Sequence, residues 1–196
     1  MAYQQMNKSR KEAYLRSIRD PLTGCFTRYY MDEAVTRLID LNSRRSDRSR
    51  LCLVMFDVDY FKEINDTWGH ITGDKALIHM TEILQGSIRT SDILVRYGGD
   101  EFLLCMPFCD VNHAYQKLSE TCRKISTTLL TVDDRELAVN DRDLAVNDRE
   151  YTMPVSVGLI EHPKGGSFRD SLKYVDTALY HAKSNGRNQI FIGSTP

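Results

Sequence analysis

The stretch Arg96-Tyr97-Gly98-Gly99-Asp100-Glu101-Phe102 sets two glycines and two adjacent carboxylates between apolar runs, Asp92-Ile93-Leu94-Val95 before it and Phe102-Leu103-Leu104-Cys105-Met106 after it. Paired glycines in that setting mark a tight β-hairpin. Two charges at its tip cost stability unless something cationic binds there. Earlier in the chain another apolar run, Leu51-Cys52-Leu53-Val54-Met55-Phe56, ends in Asp57-Val58-Asp59. Two acidic strand ends side by side would make a Mg²⁺ site, because Mg²⁺ is a hard ion that takes one or two carboxylates together with phosphates and water.

The 196 residues suit one domain, large enough to bury roughly 70% of its unfolded surface. A net charge of -1 leaves no global field toward nucleic acid or anionic lipid, so any phosphate must be held by local clusters. The five cysteines, Cys25, Cys52, Cys105, Cys109 and Cys122, form neither a CxxC pair nor a His/Cys zinc spacing, and fit reduced thiols in a cytosol. No apolar run approaches the roughly 18 to 20 residues that cross a bilayer. The expectation is a cytoplasmic domain, or the cytoplasmic part of a larger protein, without membrane contact of its own. Residues 1–19 are polar, with Tyr14, Leu15 and Ile18 as sparse apolar positions, and read either as a helical stalk continuing from something upstream or as a disordered leader.

Helical spacing runs through Met31, Ala34, Val35, Leu38 and Ile39, and again through Ala76, Leu77, Met80, Ile83, Leu84 and Ile88. The continuous run Leu51 to Phe56 predicts a strand covered on both faces. Asp110 can cap a helix whose inner face is Val111, Ala114, Leu118, Cys122, Ile125 and Leu129. A strand over Met153 to Ile160, a helix over Phe168 to Ser184 and a strand over Gln189 to Ile192 complete an α+β arrangement, helices against a mainly antiparallel sheet. Between 132 and 151 three near-copies repeat with a period of seven. Seven is odd, so along one strand the copies would face alternate sides, and the copies would fold back or extend an excursion at the sheet edge. In a helix the period would align Leu137, Leu144 and Tyr151, and a tolerated insertion is the plainest reading.

Five blocks in order resemble the GGDEF-domain diguanylate cyclases: Asp20-Pro21-Leu22-Thr23-Gly24; Phe56 to His70 with Gly73-Asp74; the Arg96 to Phe102 hairpin; Ser156-Val157-Gly158; and Ala178 to Asn188. The resemblance runs from about Asp20 to the C-terminus. It implies the nucleotidyl-cyclase and polymerase-palm type of ferredoxin-like fold, and condensation of two GTP molecules into cyclic di-GMP with release of pyrophosphate. Because one domain holds one GTP, it also implies a homodimer with the two sites face to face.

By the same resemblance Asp57, the carbonyl of Val58, Asp100 and Glu101 hold Mg²⁺, with Mn²⁺ as a substitute, and Asp100 and Glu101 are the catalytic pair, Glu101 serving as metal ligand or as base. Asp59 shares a period-two face with Asp57 but ranks lower. Phe61 and Lys62, at the start of a short helix where backbone N–H groups favour anions, hold the triphosphate together with Lys183 and Arg187. Lys183 and Arg187 are four apart, on one helical face, where solvated charges are the plainer reading. Asn65 and Asp74 read guanine, since a carboxylate accepts from N1–H and N2–H, which adenine lacks. Taken alone, Asn65-Asp66 could be turn residues and Asp74 a cap for a helix from Lys75. Arg89-Thr90-Ser91-Asp92 is an RxxD at the position where relatives bind cyclic di-GMP as product inhibitor, though by itself RxxD usually means a surface ion pair. His70 reads as a packed or capping residue. Cys25-Phe26-Thr27-Arg28-Tyr29 departs from the family pattern, which puts packing or stalk contacts there in doubt. The rival reading is a receptor for GTP or cyclic di-GMP that has lost turnover; a cyclase making adenine-containing products is disfavoured by Asp74.

Overall fold

The computed structural model describes residues 2–43, 50–132 and 149–195. The run that read as a doubly covered strand is β2 (Leu51–Val58), buried along its whole length at the middle of a six-stranded sheet. Before it come α1 (Ala2–Ser17), β1 (Phe26–Thr27) and α2 (Arg28–Ser43). After it come α3 (Phe61–Ser87), β3 (Ile93–Arg96), β4 (Glu101–Pro107), α4 (Val111–Thr127), β5 (Leu130–Val132) and β6 (Arg149–Tyr151). The last elements are β7 (Val155–Glu161), α5 (Phe168–Ser184) and β8 (Ile190–Ile192).

The sheet order is β1-β3-β4-β2-β7-β8. Its four central strands pair antiparallel, while the edge strands β1 and β8 pair parallel with β3 and β7. The expected antiparallel centre is therefore present, and the sheet as a whole is mixed. Alternation along β2 divides the core: Cys52, Val54 and Phe56 pack with Leu77, Met80 and Leu84 of α3 and Leu118 and Ile125 of α4. Leu51, Leu53 and Met55 face the other way, onto Met31 and Val35 of α2 and Val175, Ala178 and Leu179 of α5.

Asp110 caps α4 by accepting from the His113 N–H at 3.0 Å, as its position predicts. In Ser156-Val157-Gly158 the glycine lets α5 lie directly on β7, since a Cβ there would collide with the backbone of Val175, Ala178 and Leu179. α3 differs from the expectation. It begins at Phe61 and bends at Gly69, whose φ of 81° and ψ of 162° interrupt the helix. Asn65 and Asp66 consequently lie inside a helix rather than in a turn, Asp74 lies within the second half rather than at a cap, and His70 is exposed rather than packed.

The departure from the family pattern at Cys25 to Tyr29 is accommodated: Cys25 is buried and Phe26–Thr27 forms the short edge strand β1. Of the seven-residue repeat, residues 133–148 lie outside the described residues. On either side of them β5 and β6 pair antiparallel, Leu130 with Tyr151 and Val132 with Arg149. This pair docks on α3 through Tyr151, which stacks on Trp68 with ring centroids 6.4 Å apart. All five cysteines are free thiols. Among the described residues no helix is long and apolar enough to cross a membrane.

Candidate active site

Register brings the two acidic strand ends together. β2 and β4 pair from Leu51–Pro107 to Asp57–Glu101, so Asp57 lies directly across from Glu101, at the roughly 5 Å Cα spacing of opposed strand residues. The turn between β3 and β4 is closed by the N–H groups of Tyr97 and Gly98, which both donate to the Glu101 carbonyl at 2.8 and 3.2 Å. The Glu101 side chain folds over Gly98, where a Cβ would stand 2.7 Å from Oε2. Asp100, half-buried, occupies the position beside it.

Arg96 fixes the tip from outside. Its Nε and one terminal nitrogen donate to the Gly99 carbonyl at 3.1 and 2.8 Å, and the other donates to Asp20 Oδ1 at 3.0 Å. Asp20 also accepts from the Thr23 N–H and hydroxyl at 2.9 and 2.7 Å. Partial burial pushes the Asp20 carboxyl up, but these bonds from Thr23 and Arg96 outweigh it and leave it below its ordinary value. The first and third recognisable blocks are thus one unit. The pairing spans 76 positions, which no local pattern encodes.

Asp57 is the electrostatic centre. It is buried at 7% exposure, and Lys183 Nζ reaches it from α5 at 2.6 Å. Burial raises its carboxyl to about 6; Lys183 opposes the shift, and the neighbouring charges of Asp100 and Glu101 add to it. Like charges gathered at a partly desolvated strand end are a cation's setting. Among the described residues no three His, Cys, Asp or Glu side chains form a closed metal cluster. Lys183 pairs with Asp57, and the other donors on hand, Asp100 and Glu101, are hard oxygens like it, which fit Mg²⁺ or Mn²⁺.

Folding raises the Asp57 value from 3.8 to about 6, so the proton binds the folded state more tightly. The associated stability is complete below the unfolded value and is lost as pH rises through the folded one. Without divalent metal, Asp57→Asn is therefore expected to raise Tm at about pH 8 and to change it little at about pH 4. Equal Tm shifts at both pH values would contradict the assignment.

At the other side of the site, Tyr60 precedes α3 with a left-handed φ of 60° and no side chain capping the helix start, so Phe61 and Lys62 open a bare first turn. The Asn65 amide lies against Gly73, in the space a Cβ would fill, and the exposed Asp74 is the next residue. The bend at Gly69 is what brings this pair together. Arg187 needs a correction. α5 ends at Ser184, Gly186 at φ 111° reverses the chain, and Arg187 sits beyond the helix at φ 60°, so it shares no helical face with Lys183. Its guanidinium lies 5.0 Å from the Tyr60 ring centroid.

In the RxxD stretch, Asp92 turns back on its own backbone, accepting from the Arg89 N–H at 2.8 Å and the Ser91 hydroxyl at 3.3 Å. Burial nevertheless holds its carboxyl above the ordinary value. Arg89 is exposed. Sequence reasoning missed the Asp20–Arg96 staple, the role of Tyr60 in facing Arg187, and the partners of Asp59. The last of these could have been suspected from Asp57-Val58-Asp59, where a strand end offers the second acid a different neighbourhood.

Comparison with known proteins agrees with this architecture. Residues 17–189 match the family model described as "Diguanylate cyclase, GGDEF domain". The probable diguanylate cyclase DgcC of Escherichia coli is 33% identical over 193 residues, covering 96% of this chain and 47% of the relative, so the chain spans about half the length of that curated relative. The coiled coil and GGDEF domain of DgcB from Caulobacter crescentus, solved with c-di-GMP, superposes with a TM-score of 0.85 at 24% identity, covering 98% of this chain and 94% of that one, and shows the shared fold. The diguanylate cyclase SiaD of Pseudomonas aeruginosa, solved with its activator SiaC, has a TM-score of 0.74 at 31% identity, covering 98% of this chain and 68% of that one. With the family model matched over residues 17–189, the chain belongs to the GGDEF-domain diguanylate cyclase family.

Proposed function

We propose that this domain condenses two GTP molecules into cyclic di-GMP and two pyrophosphates across a homodimer. The observation that carries the reading is Asp57 facing Glu101 across paired strands, with Lys183 already bridging from α5 to Asp57. Asp57, the Val58 carbonyl, Asp100 and Glu101 would hold Mg²⁺ or Mn²⁺, which supplies charge neutralisation for the phosphates and lowers the pKa of a bound hydroxyl.

The chain's own groups do the rest. Phe61 and Lys62 at the uncapped helix start, with Lys183 and Arg187, hold the triphosphate; Asn65 and Asp74 take the guanine edge. Glu101 accepts the proton of a ribose 3'-hydroxyl as its oxygen bonds to the α-phosphorus of the opposite GTP, while the bond from that phosphorus to the leaving pyrophosphate oxygen breaks. Two such transfers close the ring. Alignment and charge compensation account for most of the rate in phosphoryl transfer, which is why two protomers must meet.

The segment 1–19, helical over Ala2–Ser17 with Tyr14 and Leu15 exposed, would be the stalk that transmits an upstream sensor's state to dimer geometry. Chromatography of a reaction containing GTP and Mg²⁺ tests the activity: cyclic di-GMP is the expected product, and dimeric protein that binds GTP without forming it would instead identify a receptor.

Product inhibition would act through Arg89, exposed beside a turn that Asp92 shapes. Arg forks to phosphate and stacks on guanine. Arg89→Ala is expected to raise the cyclic di-GMP concentration for half-inhibition by about tenfold, the loss of one charge-assisted contact, with initial turnover kept. Unchanged inhibition in that variant would remove Arg89 from the site.

A further inference from the structure

Asp59 is the second carboxylate of the Asp57-Val58-Asp59 cluster, yet its partners differ from those of Asp57, which Lys183 holds. Its side chain has no exposed surface. One oxygen accepts from the Ser156 hydroxyl at 2.7 Å and the other from the Asn188 N–H at 2.9 Å. Its own N–H donates to the Pro154 carbonyl at 3.0 Å, which locks the strand end to the approach of β7. With both oxygens engaged at full burial, its carboxylate is satisfied by partners within the protein.

The Asn188 N–H that it holds belongs to a strained turn. Gly186, Arg187 and Asn188 stand consecutively at φ 111°, 60° and 45°. The glycine reversal is the ordinary end of a helix, and the Arg187 N–H closes it on the Ala182 carbonyl at 3.1 Å. Two further non-glycine residues follow in the left-handed region; asparagine is tolerated there, but Arg187 is uncommon and persists only where its surroundings hold it. Asp59 is such a hold. It ties Asn188 down on one side of Arg187, and its Oδ1 lies 4.0 Å from Arg187 Nε. Tyr60, next in sequence, presents its ring to the same guanidinium.

We infer that Asp59 is a positioning residue: its buried carboxylate clamps the turn after α5 and so aims Arg187 at the triphosphate. Ser156 orients that carboxylate. The inference rests on the GTP reading above, and it assigns the two acids of one cluster to separate tasks, Asp57 to the cation and Asp59 to the arginine.

The test measures GTP affinity by calorimetry with the wild type, Asp59→Ala, Arg187→Ala and the double variant, together with Asp59→Asn. Asp59→Ala is expected to weaken GTP by about tenfold, as Arg187→Ala does, and the double variant to bind no worse than Arg187→Ala, since coupled residues are non-additive. Asp59→Asn keeps an acceptor for the Asn188 N–H and can donate to the Ser156 hydroxyl, so it should recover affinity to within about threefold of wild type. Additive losses, or an unchanged affinity in Asp59→Ala, would overturn the inference while leaving the GTP reading intact. A wild type that binds no GTP would end both. A further measurement needs no substitution: in nucleotide-free wild type the Asn188 amide must exchange slowly with solvent deuterium, and rapid exchange there overturns the clamp.

Discussion

Glu101→Ala should lower turnover by about 10²–10⁴-fold, the range for removing a general base, with a folded protein and retained GTP binding. The hairpin should survive because it closes on the backbone carbonyl of Glu101, not on its side chain. The same assay on Asp57→Ala should also give nearly inactive protein, for a different reason. Asp57 is the buried partner of Lys183 and lies across from Glu101, so its loss removes both the lysine's partner and a proposed ligand of the cation. Product formation by chromatography and melting by calorimetry, run on the same preparations, separate chemistry from folding. Glu101→Ala with wild-type turnover would take Glu101 out of the reaction.

Base selection should collapse in Asp74→Ala. A site that hydrogen-bonds its substrate rejects an analogue lacking those groups by leaving polar atoms unpaired. Asp74 is exposed, so the discrimination it supplies is expected at about 10²-fold rather than the 10⁴-fold or more of enclosed sites. The loss should appear as a higher KM for GTP with kcat less affected, and as a narrowed gap between GTP and ATP in competition. Asn65→Ala should cost about tenfold, one hydrogen bond's worth. An Asp74→Ala protein that still preferred GTP as strongly as wild type would move guanine recognition elsewhere.

Much of this was legible from local pattern. The apolar run Leu51 to Phe56 reads as a strand covered on both faces, and it is buried throughout. The helix from Phe168 to Ser184 was read to the residue, and the residue before it, Ser167, caps it by accepting from the Asp170 N–H. What escaped was set by contacts distant in sequence or by single backbone angles. No periodicity announces β1, two residues long and held to β3 by register. The left-handed Arg187 broke an apparent helical pairing with Lys183, since the reversal at Gly186 comes first. Asn65 and Asp74 carried plausible local roles as turn and cap, and only the bend at Gly69 removes those roles by placing both inside one broken helix. The Arg96–Asp20 staple joins two motifs each recognisable alone, but their bond belongs to the fold.

The central claim is that catalysis needs two of these sites facing each other, each with Asp57 and Glu101 on adjoining strand ends. Initial rate per mole of protein, measured with GTP and Mg²⁺ across a dilution series whose association state is followed by light scattering, tests it most directly. The account predicts cyclic di-GMP as product and a specific activity that falls in step with the dimer fraction. A specific activity that stays constant into the monomeric range would contradict it.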